Sequence, residues 1–368
     1  MQVIGLMSGT SLDGVDVAVI ETDGERISAF GPTGYRAYAE GERALLRQAL
    51  GEATGMTDRA QRPGVLAQAE ALVTRAHGDA IADYLEDNEL ALGAVDIIGF
   101  HGQTVLHRPE RRLTVQIGDG RALARRFGRP VAFDFRAADV AAGGQGAPLA
   151  PVFHAALVQN VDRPGPIAVL NIGGVANVTY CADGALVACD TGPGNALLDD
   201  FIRARTGRAF DTGGAKAARG RVDQAFVERV LRQPFFAMRP PKSLDRNAFA
   251  SVSGALADSS VADGAATLAA LTAACVARVV PMFPQPPRTW IVSGGGARNP
   301  AMLAMLAERL APAGVETADA LGWSGDALEA QAFAYLAART LRGLPITFPE
   351  TTGVAKPMQG GIIARGGE

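Results

Sequence analysis

Cysteine and histidine are scarce in this sequence, and their placement excludes two kinds of site. The 368 residues contain three cysteines and four histidines, and none of them stands at the close spacing of metal ligands. Three scattered cysteines are also too few for a disulfide framework. The sequence therefore predicts neither a zinc site nor a fold that depends on disulfides.

A strong charge of one sign is missing as well. The 35 basic and 38 acidic residues give a net charge of -3 without a long basic run, so we expect no nucleic-acid partner. The longest uncharged run, Val140–Val161, is interrupted by glycine and proline, and the first residues lack the pattern of a signal peptide. These absences predict a soluble, cytoplasmic protein with no membrane partner.

Glycine, by contrast, is abundant. It accounts for 44 of the 368 residues, about 12%, whereas average proteins contain roughly 7%. Apolar residues make up 48% and charged residues 20% of the chain, which is the balance of a globular protein. The glycine excess predicts many tight turns, or backbone that lies close to a ligand.

The two halves of the chain repeat one pattern. Each half opens with a strand, a glycine turn and a second strand, over residues 4–21 and 169–181. Hairpin signals follow at Asp23-Gly24 and Asp183-Gly184, and helical patterns then alternate with single strands. Residues 64–88 predict a helix with one apolar stripe, and residues 327–341 predict another helix. The stripe consists of Leu66, Ala69, Val73, Ala76, Ala80 and Tyr84. The repeat predicts two α/β domains of matching topology that face each other across a cleft.

We place the first domain at residues 1–147 and the second at 148–343. Residues 344–368 form a tail that could return to the first domain. A length of 368 residues has room for two such domains with substantial cores.

Glycine-rich turns at equivalent places in the two halves predict a phosphate cradle. Residues 7–14 combine two glycines with three hydroxyl side chains, and Asn171–Gly174 form the facing turn. Ser293–Pro300, with three successive glycines, follows a strand and opens a helix, a pattern that suits adenine or ribose. An ordinary hairpin is the alternative for the first turn, where Asp13 is either a metal partner or a turn residue. No Walker-type phosphate loop occurs.

Asp190 is the candidate catalytic residue. It ends the third strand of the second half, and Gly192 and Gly194 follow it. A carboxylate at a strand end can accept a proton from an attacking hydroxyl or water. The alternative role is a helix cap, but Thr191 or Asn195 could cap equally well.

Three polar side chains follow strands of the first half, where open α/β sheets bind ligands. They are His101, Gln116 and Arg136. Each of them could hydrogen-bond a sugar, and Arg136 could hold a carboxylate with both arms of its guanidinium group. Taken singly, each is more often structural.

Taken in order, these motifs resemble the anhydro-N-acetylmuramic acid kinase family over nearly the whole chain. The matching segments are residues 4–16, His101–Thr104, Gln116–Gly118, Asp134–Arg136, Asn171–Gly174, Asp190–Asn195 and Ser293–Asn299. Pro241-Lys242-Ser243 also match the family, but residues 244–247, Leu-Asp-Arg-Asn, depart from the Thr-Gly-Arg-Glu that the family often has.

The resemblance implies an actin-like ATPase fold, in which two ribonuclease-H-like domains of duplicated topology surround a nucleotide-binding cleft. It also implies that ATP and water convert 1,6-anhydro-N-acetylmuramic acid to N-acetylmuramic acid 6-phosphate and ADP in cell-wall recycling, with Mg²⁺ on the phosphates. Asp190 would be the base that activates the water, and Glu329 a second active-site carboxylate.

The partners implied are therefore an amino sugar and ATP. The expected sugar-binding residues are His101, Gln116 and Arg136. The expected ATP-binding residues are Gly9, Thr10, Ser11, Leu12, Asp13, Gly14, Val15, Asp16, Asn171, Gly173, Gly174, Gly192, Gly194, Gly294, Gly295 and Gly296. The metal ligands stay undetermined, and the oligomeric state is open, with a homodimer among the options.

Two other functions remain open at this point. A conventional sugar kinase of the same superfamily would phosphorylate a hydroxyl group without consuming water. An actin- or Hsp70-like switch would use ATP to change a partner surface, and it is the less favoured of the two.

Overall fold

A computed structural model describes residues 1–9, 11–182, 184–245, 248–325 and 327–367. The chain divides into two compact units. Unit 1 consists of Met1–Gln159 together with Asp326–Glu368, and unit 2 consists of Asn160–Gly325.

The described residues form thirteen strands and eleven α-helices. The strands are β1 (Gln2–Met7), β2 (Gly14–Thr22), β3 (Ile27–Ala37), β4 (Ile97–Phe100), β5 (Gln103–Arg108), β6 (Leu113–Ile117), β7 (Val131–Phe133), β8 (Ile167–Ile172), β9 (Val175–Ala182), β10 (Ala185–Pro193), β11 (Thr289–Ser293), β12 (Gly314–Thr317) and β13 (Ile362–Ala364). The helices are α1 (Glu40–Ala53), α2 (Leu66–Asp87), α3 (Gly120–Phe127), α4 (Ala137–Ala141), α5 (Pro151–Val158), α6 (Asn195–Thr206), α7 (Gln224–Leu231), α8 (Val261–Val279), α9 (Pro300–Leu310), α10 (Leu328–Leu341) and α11 (Pro349–Thr352).

The two main sheets share one topology. In unit 1 the strand order is β13-β7-β4-β1-β2-β3, and in unit 2 it is β10-β9-β8-β11-β12. In each sheet the first three strands of the unit are antiparallel neighbours, and the next two lie parallel to the opening strand. This repetition confirms the predicted duplicated α/β fold.

The apolar pattern of the sequence accounts for the long helix α2 of unit 1. Helix α2 was expected within residues 64–88, and its apolar positions recur every three or four residues, which places them on one face. All six predicted members of this stripe are buried: Leu66, Ala69, Val73, Ala76, Ala80 and Tyr84.

Helix α10 belongs to unit 1 although the chain reaches it only after passing through unit 2. It packs against β1, β2 and β4. Glycines allow this close approach, because a Cβ atom at Gly5 would collide with the carbonyl oxygen of Ala330, and one at Gly99 would collide with that of Phe333. The units thus divide near residues 159 and 326, not at the expected 147 and 343.

The C-terminal residues also pair with unit 1. Strand β13 runs antiparallel to β7, with Ile362 opposite Phe133 and Ala364 opposite Val131. The tail thereby covers the edge of the sheet next to the strand that leads to Arg136. Asp183, at the expected second hairpin turn, lies outside the described residues.

Unit 2 is built around the long helix α8. The segment Val261–Met282 is long and apolar enough to cross a membrane by length and composition, with a mean hydropathy of 1.6, but 72% of that window is buried inside the protein. Its alanine-rich surface packs against α6, α9 and β10. This burial is typical of a core helix.

Candidate active site

The turn between β1 and β2 is held by a buried network of polar side chains. The Ser8 hydroxyl donates to Gln103 Oε1 at 2.6 Å and shares a hydrogen bond of 3.0 Å with the Tyr38 hydroxyl. Gln103 Nε2 donates in turn to the Gly9 carbonyl oxygen at 3.3 Å. The network thus holds the start of the predicted phosphate turn, Ser8 and Gly9, from the buried side.

The residues of this turn face in different directions. Leu12 and Val15 are buried in the core of unit 1, so they could meet a nucleotide only through their backbone. Ser11 and Asp13 are exposed, and the Ser11 hydroxyl donates to Asp13 Oδ1 at 2.7 Å.

The remaining positions of the predicted set complete the turn. Gly9 and Asp16 are half-buried, Gly14 is buried, and its N–H donates to Asp13 Oδ1 at 3.1 Å. Thr10 lies outside the described residues.

In unit 2 the structure brings the three predicted glycine segments together. The Asn195 amide nitrogen Nδ2 donates to the Ile172 carbonyl oxygen at 2.9 Å, and the backbone N–H of Asn195 donates to the Gly173 carbonyl oxygen at 2.7 Å. The N–H of Gly194 donates to the carbonyl oxygen of Gly174 at 3.0 Å. Gly295 lies beside Asn195 Nδ2. The carboxyl ends of β8, β10 and β11 therefore meet at one edge of the sheet.

Several of these glycines are required by the packing of unit 2 itself. A Cβ atom at Gly294, where φ is +76°, would overlap Asn171 Oδ1, and one at Gly296 would overlap the Ile172 side chain. A Cβ atom at Gly192 would press on Cys275, and one at Gly194 on the Gly173 carbonyl oxygen. A Cβ atom at Gly173 would have ordinary room, and one at Gly295 would meet only the end of the Asn195 side chain. Glycine here allows the loops to approach one another closely.

Asp190 lies in β10 where the pairing with β9 shifts register between Asp190 and Gly192. Its carboxylate does not cap α6; instead Asp190 Oδ2 accepts a hydrogen bond of 2.6 Å from the N–H of Leu244. Burial raises the pKa of Asp190 to about 6, against the opposing effects of the Leu244 N–H and the Lys242 ammonium group. A carboxylate with this pKa is suited to accept a proton near neutral pH.

A second cluster in unit 1 joins His101, Arg136 and Glu329. Arg136 donates to the Gly146 carbonyl oxygen at 2.8 Å, and its other terminal nitrogen lies 3.5 Å from His101 Nε2. Phe333 of α10 packs on the His101 ring at 4.6 Å between centroids. Burial lowers the pKa of His101 to about 3, so its ring is neutral at pH 7.

Glu329 is in the first turn of α10 and is accessible to solvent. Neighbouring protein atoms nevertheless displace part of the water around its carboxyl group. This desolvation raises the pKa of Glu329, and the nearby Arg136 guanidinium group opposes the rise. The predicted residues Arg136 and Glu329 are thus electrostatic neighbours.

The three predicted sugar-binding residues share a further property. Each of them has a buried polar atom that lacks a well-aligned hydrogen-bond partner: His101 Nδ1, Gln116 Oε1 and Arg136 Nε. Among the described residues, only six buried side-chain atoms lack such a partner. Gln116 Nε2, by contrast, donates to Thr114 Oγ1 at 2.9 Å. Because an unpaired buried polar atom costs roughly 1–3 kcal/mol, such atoms are suited to a polar ligand.

The described residues contain no cluster of three or more histidine, cysteine or acidic side chains that could cage a metal ion. Mg²⁺ in kinases is usually held by one or two carboxylates and by substrate phosphates. Asp13 fits that arrangement, because it is exposed and, of its two carboxylate oxygens, Oδ1 accepts hydrogen bonds from Ser11 and Gly14.

Sequence reasoning missed the segment that contacts Asp190. The N–H of Asp190 donates to the Lys242 carbonyl oxygen at 2.9 Å, and Leu244 follows two residues later as the donor to the carboxylate. The Pro241-Lys242-Ser243 match to the family was the available signal, but nothing local connects it with a strand more than fifty residues earlier. The departing residues Arg246 and Asn247 lie outside the described residues.

Two α/β units of this duplicated topology form an actin-like ATPase fold. The structure is similar to that of (R)-2-hydroxyglutaryl-CoA dehydratase component A from Acidaminococcus fermentans, with a TM-score of 0.50 and 12% identity over 93% of this chain and 99% of that chain. A likeness at this low identity concerns the fold alone.

The sequence comparisons identify the family. The family model described as anhydro-N-acetylmuramic acid kinase matches residues 1–365. Relatives named anhydro-N-acetylmuramic acid kinase are 63% identical in Nitrobacter winogradskyi, over 99% of this chain and 100% of that protein, and 62% identical in Rhodopseudomonas palustris strain HaA2, over 99% of each.

This chain belongs to the anhydro-N-acetylmuramic acid kinase family. It is therefore an enzyme, a phosphotransferase with an alcohol group as acceptor, and as a kinase it takes its phosphoryl group from ATP.

Proposed function

We propose that this kinase opens 1,6-anhydro-N-acetylmuramic acid with water and phosphorylates the released O6 oxygen. The products are N-acetylmuramic acid 6-phosphate and ADP, and the reaction serves the recycling of cell-wall sugars. The observation that carries the proposal is the half-buried carboxylate of Asp190, whose pKa is raised to about 6.

Asp190 acts as the base in this mechanism. It takes a proton from water as the water oxygen attacks C1 of the sugar, and the bond between C1 and O6 breaks. The O6 oxygen then forms a bond to the γ-phosphorus of ATP while the bond to the ADP oxygen breaks. One carboxylate thus supports both ring opening and phosphoryl transfer.

The cluster in unit 1 binds the amino sugar. His101 is neutral and can donate or accept, Gln116 presents an unpaired oxygen, and Arg136 presents an unpaired N–H. Glu329 lies near Arg136 and has a raised pKa, so it can share a proton with a sugar hydroxyl group.

The glycine segments bind ATP through their backbone. The turn of unit 1 offers the Ser11 hydroxyl and backbone N–H groups, and the edge of unit 2 offers the exposed Gly174 and Gly295 and the uncrowded Gly173. Asp13 would hold Mg²⁺ together with the phosphates. When bound, Mg²⁺ neutralises charge on the γ-phosphate.

Isotope labelling in ¹⁸O-water tests the proposal. The enzyme is incubated with ATP and the anhydro-sugar, and the product is analysed by mass spectrometry. We expect one ¹⁸O atom at C1, ADP release in equal amount, and no product from Asp190→Asn, because that variant cannot accept the proton.

A conventional sugar kinase is the alternative that this experiment separates. Phosphorylated product without label at C1 would exclude ring opening by water, and full activity of Asp190→Asn would exclude Asp190 as the base. ATP turnover that does not depend on any sugar would instead indicate a switch protein.

A further inference from the structure

Lys242 is an unusual residue for its surroundings. The chain contains three lysines against 32 arginines, yet a lysine occupies this site and only 4% of its surface is exposed. Burying an ammonium group is costly unless it is well compensated. Packing alone would favour an apolar side chain here.

The ammonium group of Lys242 is held by the turn that precedes it. Its Nζ atom donates to the Phe235 carbonyl oxygen at 3.1 Å and lies 4.5 Å from the centre of the Phe235 ring. Phe235 packs edge-on against Phe236, and both rings contact Phe249, which follows Lys242 by seven residues in the sequence. The side chain of Lys242 therefore ties its own backbone to an aromatic cluster.

The same backbone holds Asp190 at two points. The Lys242 carbonyl oxygen accepts from the N–H of Asp190 at 2.9 Å, and the N–H of Leu244 donates to the carboxylate at 2.6 Å. A shift of the segment would break both bonds at once. The position and the solvation of the carboxylate thus depend on residues 242–244.

Few other charges act on this pair. Cys189 precedes Asp190 in β10, and Cys275 and Arg278 lie on α8. Burial raises the pKa of both thiols, that of Cys189 to about 12, so both are neutral between pH 5 and 9. Arg278 is exposed and is screened by solvent. Lys242 is therefore the main cation acting on Asp190.

We propose that Lys242 is a positioning residue, which fixes the 242–244 segment against Asp190 and keeps that carboxylate ionised at neutral pH. This inference rests on the proposed role of Asp190 as the base. Lysine suits the task better than arginine, because its charge is compact and fits a small buried space.

The test compares Lys242→Met and Lys242→Gln with the exposed control Lys216→Met. The pH dependence of kcat/KM and the thermal unfolding temperature are measured for each variant. Loss of the cation raises the pKa of Asp190 by about one unit, so kcat/KM falls about fivefold at pH 6 and approaches the wild-type value above pH 8. Lys242→Gln keeps a donor for Phe235 but lacks the charge, and it shows the same shift. Lys216→Met matches the wild type.

The unfolding temperature separates positioning from packing. At pH 4, where Asp190 is protonated in the folded protein, replacing the buried Lys242 charge by methionine leaves the unfolding temperature unchanged or higher. A lower unfolding temperature together with an equal loss of kcat/KM at every pH would overturn the inference. It would also be overturned if kcat/KM of Lys242→Met and Lys242→Gln fell at the same acidic pH as in the wild type.

A ¹³C titration of the aspartate carboxyl groups, with the Asp190 signal assigned by Asp190→Asn, reads the protonation of Asp190 without reference to catalysis. If Asp190→Asn retains activity, the proposed function fails, while this titration still decides the influence of Lys242.

Discussion

At the scale of one residue, the burial that raises the pKa of Asp190 also lowers the stability of the folded protein when the carboxylate is ionised. Its pKa in the folded protein is about 6, whereas the ordinary value of an aspartate is near 3.8. The folded state therefore binds more protons than the unfolded state between these two values, and ionising the carboxylate costs folding free energy. Stability from this group is present below about pH 4 and is lost as the pH rises through 6.

We therefore expect Asp190→Asn to be more stable than the wild type at pH 8 but not at pH 4. The amide keeps an oxygen that can accept from Leu244 and carries no charge to desolvate. A shift of this size corresponds to about 1–3 kcal/mol, and thermal unfolding of both proteins at the two pH values measures it.

Asp258→Asn is the matched control, because Asp258 is exposed in the same unit. It should follow the wild type at both pH values. A gain in stability of Asp190→Asn that is equal at pH 4 and pH 8 would contradict the assigned ionisation.

Single residues also show how far the sequence could predict this site. The strand that carries Asp190 and the glycines after it were visible, because strands and glycine turns are local patterns. The strand continues to Pro193, however, so Asp190 lies within it and not at its end. The run Gly9–Asp16, however, was expected to contact ATP as a whole. Leu12 and Val15 are instead buried in the core of unit 1, which the local pattern of glycines and hydroxyl residues did not indicate. Lys242 was missed because its contact with Asp190 is long-range.

At the scale of elements, the position of α10 depends on two glycines. Gly5 in β1 and Gly99 in β4 let the helix backbone lie directly on the sheet. Glu329 is in the first turn of this helix, and Phe333, one turn later, packs against His101. The apolar pattern predicted a helix within residues 327–341, but the pattern did not identify the unit on which it would pack.

Gly99→Ala should displace α10 and with it Glu329. The added methyl group meets the Phe333 carbonyl oxygen, which cannot rotate away as a side-chain end could. We expect a loss of about 2–4 kcal/mol in the free energy of unfolding and a lower kcat. Urea unfolding and steady-state kinetics measure these changes.

Gly51→Ala provides the control for this substitution. Gly51 is an exposed residue of α1, and no atom lies within 4 Å of its added Cβ. Alanine there should be neutral or stabilising by up to about 1 kcal/mol. Equal stability of Gly99→Ala and Gly51→Ala would show that the close packing of α10 on the sheet does not depend on Gly99.

At the scale of the whole molecule, the two ends of the chain complete one unit. The C-terminal residues reach the Arg136 loop by two routes. Strand β13 covers the edge of β7, and the Thr352 hydroxyl donates to Asp139 Oδ2 at 2.6 Å. Asp139 Oδ1 in turn accepts from the N–H of Gly146, whose carbonyl oxygen accepts from Arg136. The sequence left the return of the tail open, because a three-residue strand has too little pattern to identify its partner.

Deleting residues 362–368 should therefore weaken sugar binding, although these residues are distant from Arg136 in the sequence. The deletion removes the pairing with β7 and the buried Ala364, and it exposes a sheet edge. We expect a loss of about 2–4 kcal/mol in stability and a KM for the sugar that rises more than the KM for ATP, because Arg136 follows β7 directly. Thermal unfolding and substrate titrations measure both effects. Deleting only residues 367–368 leaves β13 intact and should match the wild type, whereas an unchanged sugar KM in the longer deletion would separate the tail from the Arg136 loop.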